Sequence, residues 1–209
     1  MRALIEAAQD REFPAAIVLV VSNVPDAGGL AFAAEAGIAT SVVDHRVFGS
    51  DRQAFETTLD KALTEHGIEL VCLAGFMRLL TAWFVGRWSG RLLNIHPALL
   101  PQFKGLDTHR RAIESGVTTH GATVHFVVPE MDSGPIVAQG VVPVHTDDTE
   151  AKLAKRVLDI EHRIYPLALR LVASGDVEMT DSGCRLNAPL GDDDARYIPC
   201  AARARSDMT

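Results

Sequence analysis

Apolar residues in this chain fall into two alternating patterns: short solid runs, and longer stretches where they recur every three or four positions. Residues 15–22, 69–74 (ELVCLA) and 91–96 (RLLNIH) are solid runs, the signature of strands buried on both faces. Residues 40–43 add a short strand. Between them the helical period predicts helices over 1–11 (on Leu4, Ile5 and Ala8), 30–36, 51–66, 81–88 and 108–115. Ser50 or Asp51, Thr81 and Thr108 supply starts, and Gly37, Gly67 and Gly116 supply stops. Strand and helix in alternation predict an α/β fold, a doubly wound and mostly parallel sheet with helices on both faces. After Gly121 the pattern changes. Residues 122–128 and 135–144 are β runs joined by the loop PEMDSG at 129–134, and Thr149 opens a long helix to about 173 that Pro166 is expected to interrupt. Residues 177–187 read as a hairpin about Asp181-Ser182-Gly183, so the C-terminal portion is expected to be antiparallel. One domain is expected over 1–190, followed by a loose tail at 191–209 that carries Asp192-Asp193-Asp194 and few apolar residues.

Composition narrows the class. The 209 residues are 47% hydrophobic and carry a formal net charge of −7, which argues against a nucleic-acid binder and leaves room for a local basic pocket. The three cysteines, Cys72, Cys184 and Cys200, make no C-x-x-C pair; reduced thiols are expected, with neither a disulfide frame nor a zinc site. The apolar runs are too short to span a bilayer, and Glu6 and Asp10 follow the first apolar residues too closely for a signal peptide. A cytoplasmic protein acting on small molecules is the expectation, with no membrane or nucleic-acid partner, as a monomer or homodimer.

The chemistry concentrates at RLLNIHPALLP, residues 91–101. Asn94 and His96 are two apart, so on a strand both side chains leave the same face. Pro97 ends the strand there, at the carboxyl edge where open α/β sheets bind ligands. Asp132 lies in a Gly-containing loop between two β runs, where a carboxylate has no core purpose, although Asp-Ser-Gly is also good turn chemistry. A carboxylate favours the cationic form of a nearby imidazole, and an Asn amide can donate to an oxyanion. None of the three is a strong nucleophile. The set suits direct attack of a substrate amine on an acyl carbon.

NIHPALLP, then KGLDTHRRAIESG, then HGATVHFVVPEMDSGPIVAQ resembles the phosphoribosylglycinamide formyltransferase family, the folate-dependent enzymes of purine synthesis, from Met1 to about Asn187. The resemblance implies a Rossmann-like fold and transfer of a formyl group from 10-formyltetrahydrofolate, a cosubstrate, to the amine of 5-phosphoribosylglycinamide, without a metal. It further implies that Asn94 stabilises the oxyanion, that His96 transfers a proton to the departing folate nitrogen, and that Asp132 holds His96. Arg52 and the run Met77, Arg78, Leu79 and Leu80 match the folate side, Glu130 and Met131 with Asp132 form the loop around the pterin, and Gly75 and Glu161 match the glycinamide side. By residue type alone, Arg52 equally fits a solvated helix charge, Glu161 an exposed helix position, and Met77, Leu79 and Leu80 plain core. His125 reads slightly better as a satisfied core histidine than as a catalytic one. His109, His120 and His162 are expected in support, and His45, His66 and His145 at the surface.

The family opens with a strand and a Gly-rich phosphate loop ahead of the first helix, whereas this sequence starts at the helix. About a dozen residues are therefore expected to be lacking, with activity impaired. The competing readings are another formyltetrahydrofolate enzyme, such as a deformylase, a tRNA or a sugar-amine formyltransferase, and a folate-binding relative without activity. The length and charge are not those expected of the tRNA enzyme with its basic C-terminal domain, and the regulatory domain of the deformylase is not expected either.

Overall fold

The fold is built by one long amphipathic helix laid across the antiparallel part of a mixed sheet. The computed structural model describes residues 1–199. Helix α6 (Glu150–Ala173) is capped by Thr149, whose hydroxyl accepts from the Lys152 N–H. Its apolar positions Leu153, Val157, Ile160, Ile164, Leu167 and Leu171 recur every three or four residues and are buried. They pack on β5 (Thr119–Phe126) and β6 (Ile136–Pro143), with Ala122, Val124, Phe126, Val137 and Ala138 completing the main core. Gly140 lets the helix settle: a Cβ there would lie 2.2 Å from Ile160 Cγ1. Pro166 does not interrupt the helix, contrary to expectation. One lost backbone bond is offset by burial of Tyr165, Leu167, Ala168 and Leu169 around it.

The other elements, in chain order, are α1 (Arg2–Ala7), β1 (Leu19–Ser22), α2 (Gly28–Glu35), β2 (Ala39–Val42), a 3-10 turn at His45–Phe48, α3 (Arg52–Glu65), β3 (Val71–Leu73), α4 (Ala82–Arg87), β4 (Leu92–His96), α5 (Thr108–Glu114), the hairpin β7 (Val177–Thr180) and β8 (Gly183–Leu186), and α7 (Asp192–Ala195). The β1–β2 and β3–β4 pairs are parallel, while β4–β5, β5–β6 and β7–β8 are antiparallel. The α/β architecture with an antiparallel C-terminal portion and hairpin is the one expected.

The division of the sheet agrees with the expected lack of a strand, whereas the expectation of a loose tail is corrected in its described part. The sheet is not continuous: β1–β2 forms one piece and β3–β4–β5–β6 another. A cavity of about 960 Å³ lies between the pieces, lined by residues from Pro14 through Val24 on one side and His66 through Phe76 on the other, with Met1, Leu4 and Ile5 of the first helix. Neighbouring residues along each strand line it, so the strand edges face the cavity rather than one side-chain face. Accordingly β1 begins only at Leu19, and Val18 is 49% exposed. The tail from 191 is not loose in its described part. Arg170 of α6 pairs with Asp194, the Gln139 N–H bonds the Tyr197 carbonyl, and Ile198 is buried in the main core. Residues 200–209, including Cys200, lie outside the described residues.

Candidate active site

Strand β4 ends at His96 because Pro97 follows, and its burial leaves Asn94 and His96 at the sheet's carboxyl edge, His96 only 5% exposed. The antiparallel register places His125 of β5 opposite Asn94, and Thr123 opposite His96. A hairpin-like turn then returns Asp132 to the same place. Its backbone has φ 49°, in the left-handed region, and it is followed by Gly134, where a Cβ would lie 1.7 Å from the Phe126 carbonyl oxygen. That close approach demands glycine and fixes the loop height.

The three expected residues converge, with His125 between them. Asp132 Oδ2 lies 3.5 Å from His96 Nδ1, and its Oδ1 lies 3.9 Å from His125 Nε2. Asn94 Nδ2 is 3.4 Å from His125 Nε2. His125 Nδ1 faces the Phe126 carbonyl at 2.8 Å, so it carries the proton and leaves Nε2 as the acceptor for the Asn94 amide. Burial lowers the pKa of His125 below the ordinary histidine value, which keeps this tautomer neutral. His125 therefore orients Asn94 and leaves one amide hydrogen for a ligand. Its role was not visible as a motif; the signal was the antiparallel pairing of β4 with β5.

His96 Nε2 faces the Phe103 carbonyl at 3.0 Å, so both of its ring nitrogens look at acceptors. Asp132 Oδ2 also accepts from the Gly105 N–H at 2.8 Å. Beneath the site, the Thr123 hydroxyl donates to the Ala98 carbonyl at 2.6 Å and accepts from the Leu100 N–H, while Gln139 Nε2 donates to the Leu100 carbonyl and to Thr123. These bonds hold the 97–101 loop. Neither Thr123 nor Gln139 stands out in the sequence, because a buried Thr and a strand Gln carry no spacing signal.

The remaining expected residues scatter about this centre. Met77 is 81% exposed, Leu79 57% and Met131 52%, so these are surface apolar groups and not core. Leu80 does pack against the smaller core of Leu63, Phe84, Trp88 and Leu92. Arg78 lies over the Phe55 ring, its guanidinium carbon 5.5 Å from the centroid. The loop they share, which opens at Gly75 (φ 70°), is closed by buried Glu56, whose carboxylate accepts from the Thr81 N–H at 2.7 Å and from the Thr81 hydroxyl. Arg52 is exposed in the first turn of α3, and Glu130 is exposed on the Asp132 loop. Glu161 lies on α6 within electrostatic reach of the Met1 amino group, and burial raises its carboxyl to about 7. Cys72, nearby, is pushed up to about 12 by burial, so it is no thiolate nucleophile.

His109 and His120 stack edge to face, centroids 5.4 Å apart, and Phe103 closes on His120 at 5.6 Å. His120 is 1% exposed and neither ring nitrogen has a hydrogen bond; the Pro97 backbone approaches it without reaching bonding geometry. Burial lowers its pKa from 6.5 to about 4, and it lowers those of His109 and His125 as well. The unfolded chain thus takes up these protons first, so their contribution to stability is full above pH 6.5 and drains away as pH falls towards 4. Glu161 acts oppositely, costing stability as pH rises from 4.5 to about 7. His120→Leu removes the His120 contribution and leaves that of Glu161. The expected result is a smaller fall in melting temperature between pH 7.5 and 5 than in the parent chain. Parallel melts across that range check it; equal slopes contradict the assignment.

A formyl transferase family profile matches residues 1–169. The chain belongs to the formyl transferase family. The phosphoribosylglycinamide formyltransferase of Escherichia coli (strain K12) is 42% identical over 187 residues, which cover 90% of this chain and 88% of that one. The trifunctional purine biosynthetic protein adenosine-3 of Gallus gallus is 49% identical over 183 residues, and the chain spans only 18% of that relative's length. Among solved structures, glycinamide ribonucleotide transformylase 1 from Symbiobacterium toebii superposes with a TM-score of 0.85 at 40% identity, covering 88% of this chain and 87% of that one. The Coxiella burnetii phosphoribosylglycinamide formyltransferase in complex with CHES superposes with a TM-score of 0.84 at 41% identity, covering 91% and 89%. The fold is thus that of this family.

Proposed function

We propose that this formyl transferase passes the formyl group of 10-formyltetrahydrofolate to the amine of 5-phosphoribosylglycinamide, a step of purine synthesis, in the cytoplasm. The observation that carries the reading is the convergence of Asn94, oriented by His125, with the His96–Asp132 pair, an amide donor beside a proton-handling pair and no activated nucleophile. Such a set serves direct attack of a substrate amine. In the proposed step a bond forms between the amine nitrogen and the formyl carbon, and the carbonyl electrons move onto oxygen. The free Asn94 amide hydrogen meets that oxygen. The bond from carbon to the folate nitrogen then breaks; the amine gives up one proton and the departing nitrogen gains one. His96 Nδ1 and Asp132 Oδ2 hold and pass that proton. Their 3.5 Å separation exceeds a hydrogen bond, as is common in a site that tightens around its substrates.

Met77, Leu79 and Met131 present apolar surface to solvent, which supports a role in holding an apolar aromatic cosubstrate. We assign the folate side to them with Arg52, Arg78, Leu80 and Glu130, and the glycinamide side to Gly75 and Glu161. The test is steady-state transfer with both substrates. Arg52→Ala and Met77→Ala are expected to raise the folate KM several-fold, with a smaller effect on kcat. A raised glycinamide KM with an unchanged folate KM would reverse the assignment of the two sides. Failure of the parent chain to formylate the glycinamide, under conditions where it consumes formyl-folate, would favour a deformylase instead.

A further inference from the structure

We propose that Arg111 is the positioning residue for the His96–Asp132 pair, an inference that rests on the function proposed above and adds a residue to it. The segment from Phe103 to Asp107 has no sheet or helix ladder. Phe103, Gly105 and Asp107 all have positive φ, at 52°, 82° and 57°. Left-handed backbone at two non-glycine residues persists only where neighbours hold it. This same segment carries the atoms that set the pair. The Phe103 carbonyl receives His96 Nε2, the Gly105 N–H holds Asp132 Oδ2, and Lys104 Nζ donates to Ser133 in the Asp132 loop at 2.6 Å. A shift of the segment therefore moves the imidazole and the carboxylate together.

Arg111 reaches it from the back. It sits on α5, half-buried, and its Nη1 donates to the Lys104 carbonyl at 2.7 Å and to the Leu106 carbonyl at 3.1 Å. Its guanidinium carbon also lies 5.6 Å from the centroid of the Phe103 ring, which meets His120 edge to face and packs on the main core. Among the described residues Arg111 has no carboxylate partner, so its charge is directed to backbone carbonyls. One nitrogen bonds two carbonyls while the guanidinium carbon lies over the Phe103 ring, and the ring contact is the part that the compact ammonium of Lys reproduces poorly. The adjacent Arg110 makes a surface ion pair with Asp107 and touches neither His96 nor Asp132.

The experiment compares Arg111→Ala, Arg111→Lys and Arg110→Ala in the full chain. The readouts are kcat and KM for formyl transfer and the ring-nitrogen NMR signals of His96 in the absence of substrates. Displacement on the order of 1 Å at a reacting group costs about 10²-fold in rate. Arg111→Ala is therefore expected to lower kcat by roughly 10–100-fold with little change in KM and to move the His96 ring signals, while Arg111→Lys recovers only part of both. Arg110→Ala should match the parent. Unchanged His96 signals and kcat in a folded Arg111→Ala protein would overturn the proposal, as would full recovery by Lys. If the parent chain consumes formyl-folate without formylating the glycinamide yet the His96 signals still move in Arg111→Ala, the functional reading fails and the positioning role stands.

Discussion

Alanine at His96 or at Asp132 is expected to remove most turnover, roughly 10²–10⁴-fold for each, and the double variant should lose less than the product of the two. The two side chains share one task. His96 Nδ1 faces Asp132 Oδ2, and the carboxylate is itself held by the Gly105 N–H. Without the carboxylate the ring loses the acceptor that orients it, and without the ring the carboxylate has no proton to hold. Asp132→Asn separates charge from shape, since its amide oxygen can still accept from Gly105 while the negative charge is gone. Its turnover should fall almost as far as that of Asp132→Ala. His96 is nearly buried, so its removal also opens a small cavity, and circular dichroism with a melt establishes that the fold survives. Values of kcat/KM for the single and double variants decide the point. A fully multiplicative loss would mean that the two residues act independently.

The local and the distant parts of this site differ in how far they can be read from sequence. Asn94 and His96 declare themselves because strand period and a terminating proline are local properties. Asp132 is visible because a carboxylate in a tight Gly loop between β runs has no packing use. Spacing along the chain does not reveal where they meet, since that depends on the register of β4 with β5 and on the bulge near His125. That register is what turns His125 from a core residue into the acceptor that orients Asn94. Arg111 was hidden for another reason: its partners are backbone carbonyls of a loop, which no residue pattern reports. In the described part of the tail composition did not report the docking, which buried Ile198, the Arg170–Asp194 pair and the Gln139 N–H to Tyr197 carbonyl bond provide. Met77 and Leu79 show the converse, apolar residues that look like core and face solvent.

Amide exchange should divide the two strands that border the cavity residue by residue. In β3 the Val71 N–H bonds the Arg91 carbonyl, so Val71 and Leu73 face β4 and Cys72 faces the cavity. In β1 the Ser22 carbonyl accepts from the Val43 N–H, so Val20 and Ser22 face β2, while Leu19 and Val21 face the cavity. An N–H without a ladder partner exchanges through small fluctuations, whereas a paired one waits for local or global opening. An opening that costs even about 3 kcal/mol slows exchange by roughly a hundredfold. The amides of Leu19, Val21 and Cys72 should therefore exchange at least about a hundredfold faster than those of Val71 and Leu73, and far faster than the doubly flanked strands β4 and β5. Val20 and Ser22 should fall between, because β1–β2 is a two-stranded piece outside the main sheet. The same alternation governs proline. Cys72→Pro deletes no ladder bond and should be tolerated better than Leu73→Pro, which deletes one. Hydrogen–deuterium exchange at single-residue resolution reads the pattern directly. Equal protection of Val71 and Cys72, or of Val20 and Val21, would show that in solution these two edges are paired and the cavity between them is closed.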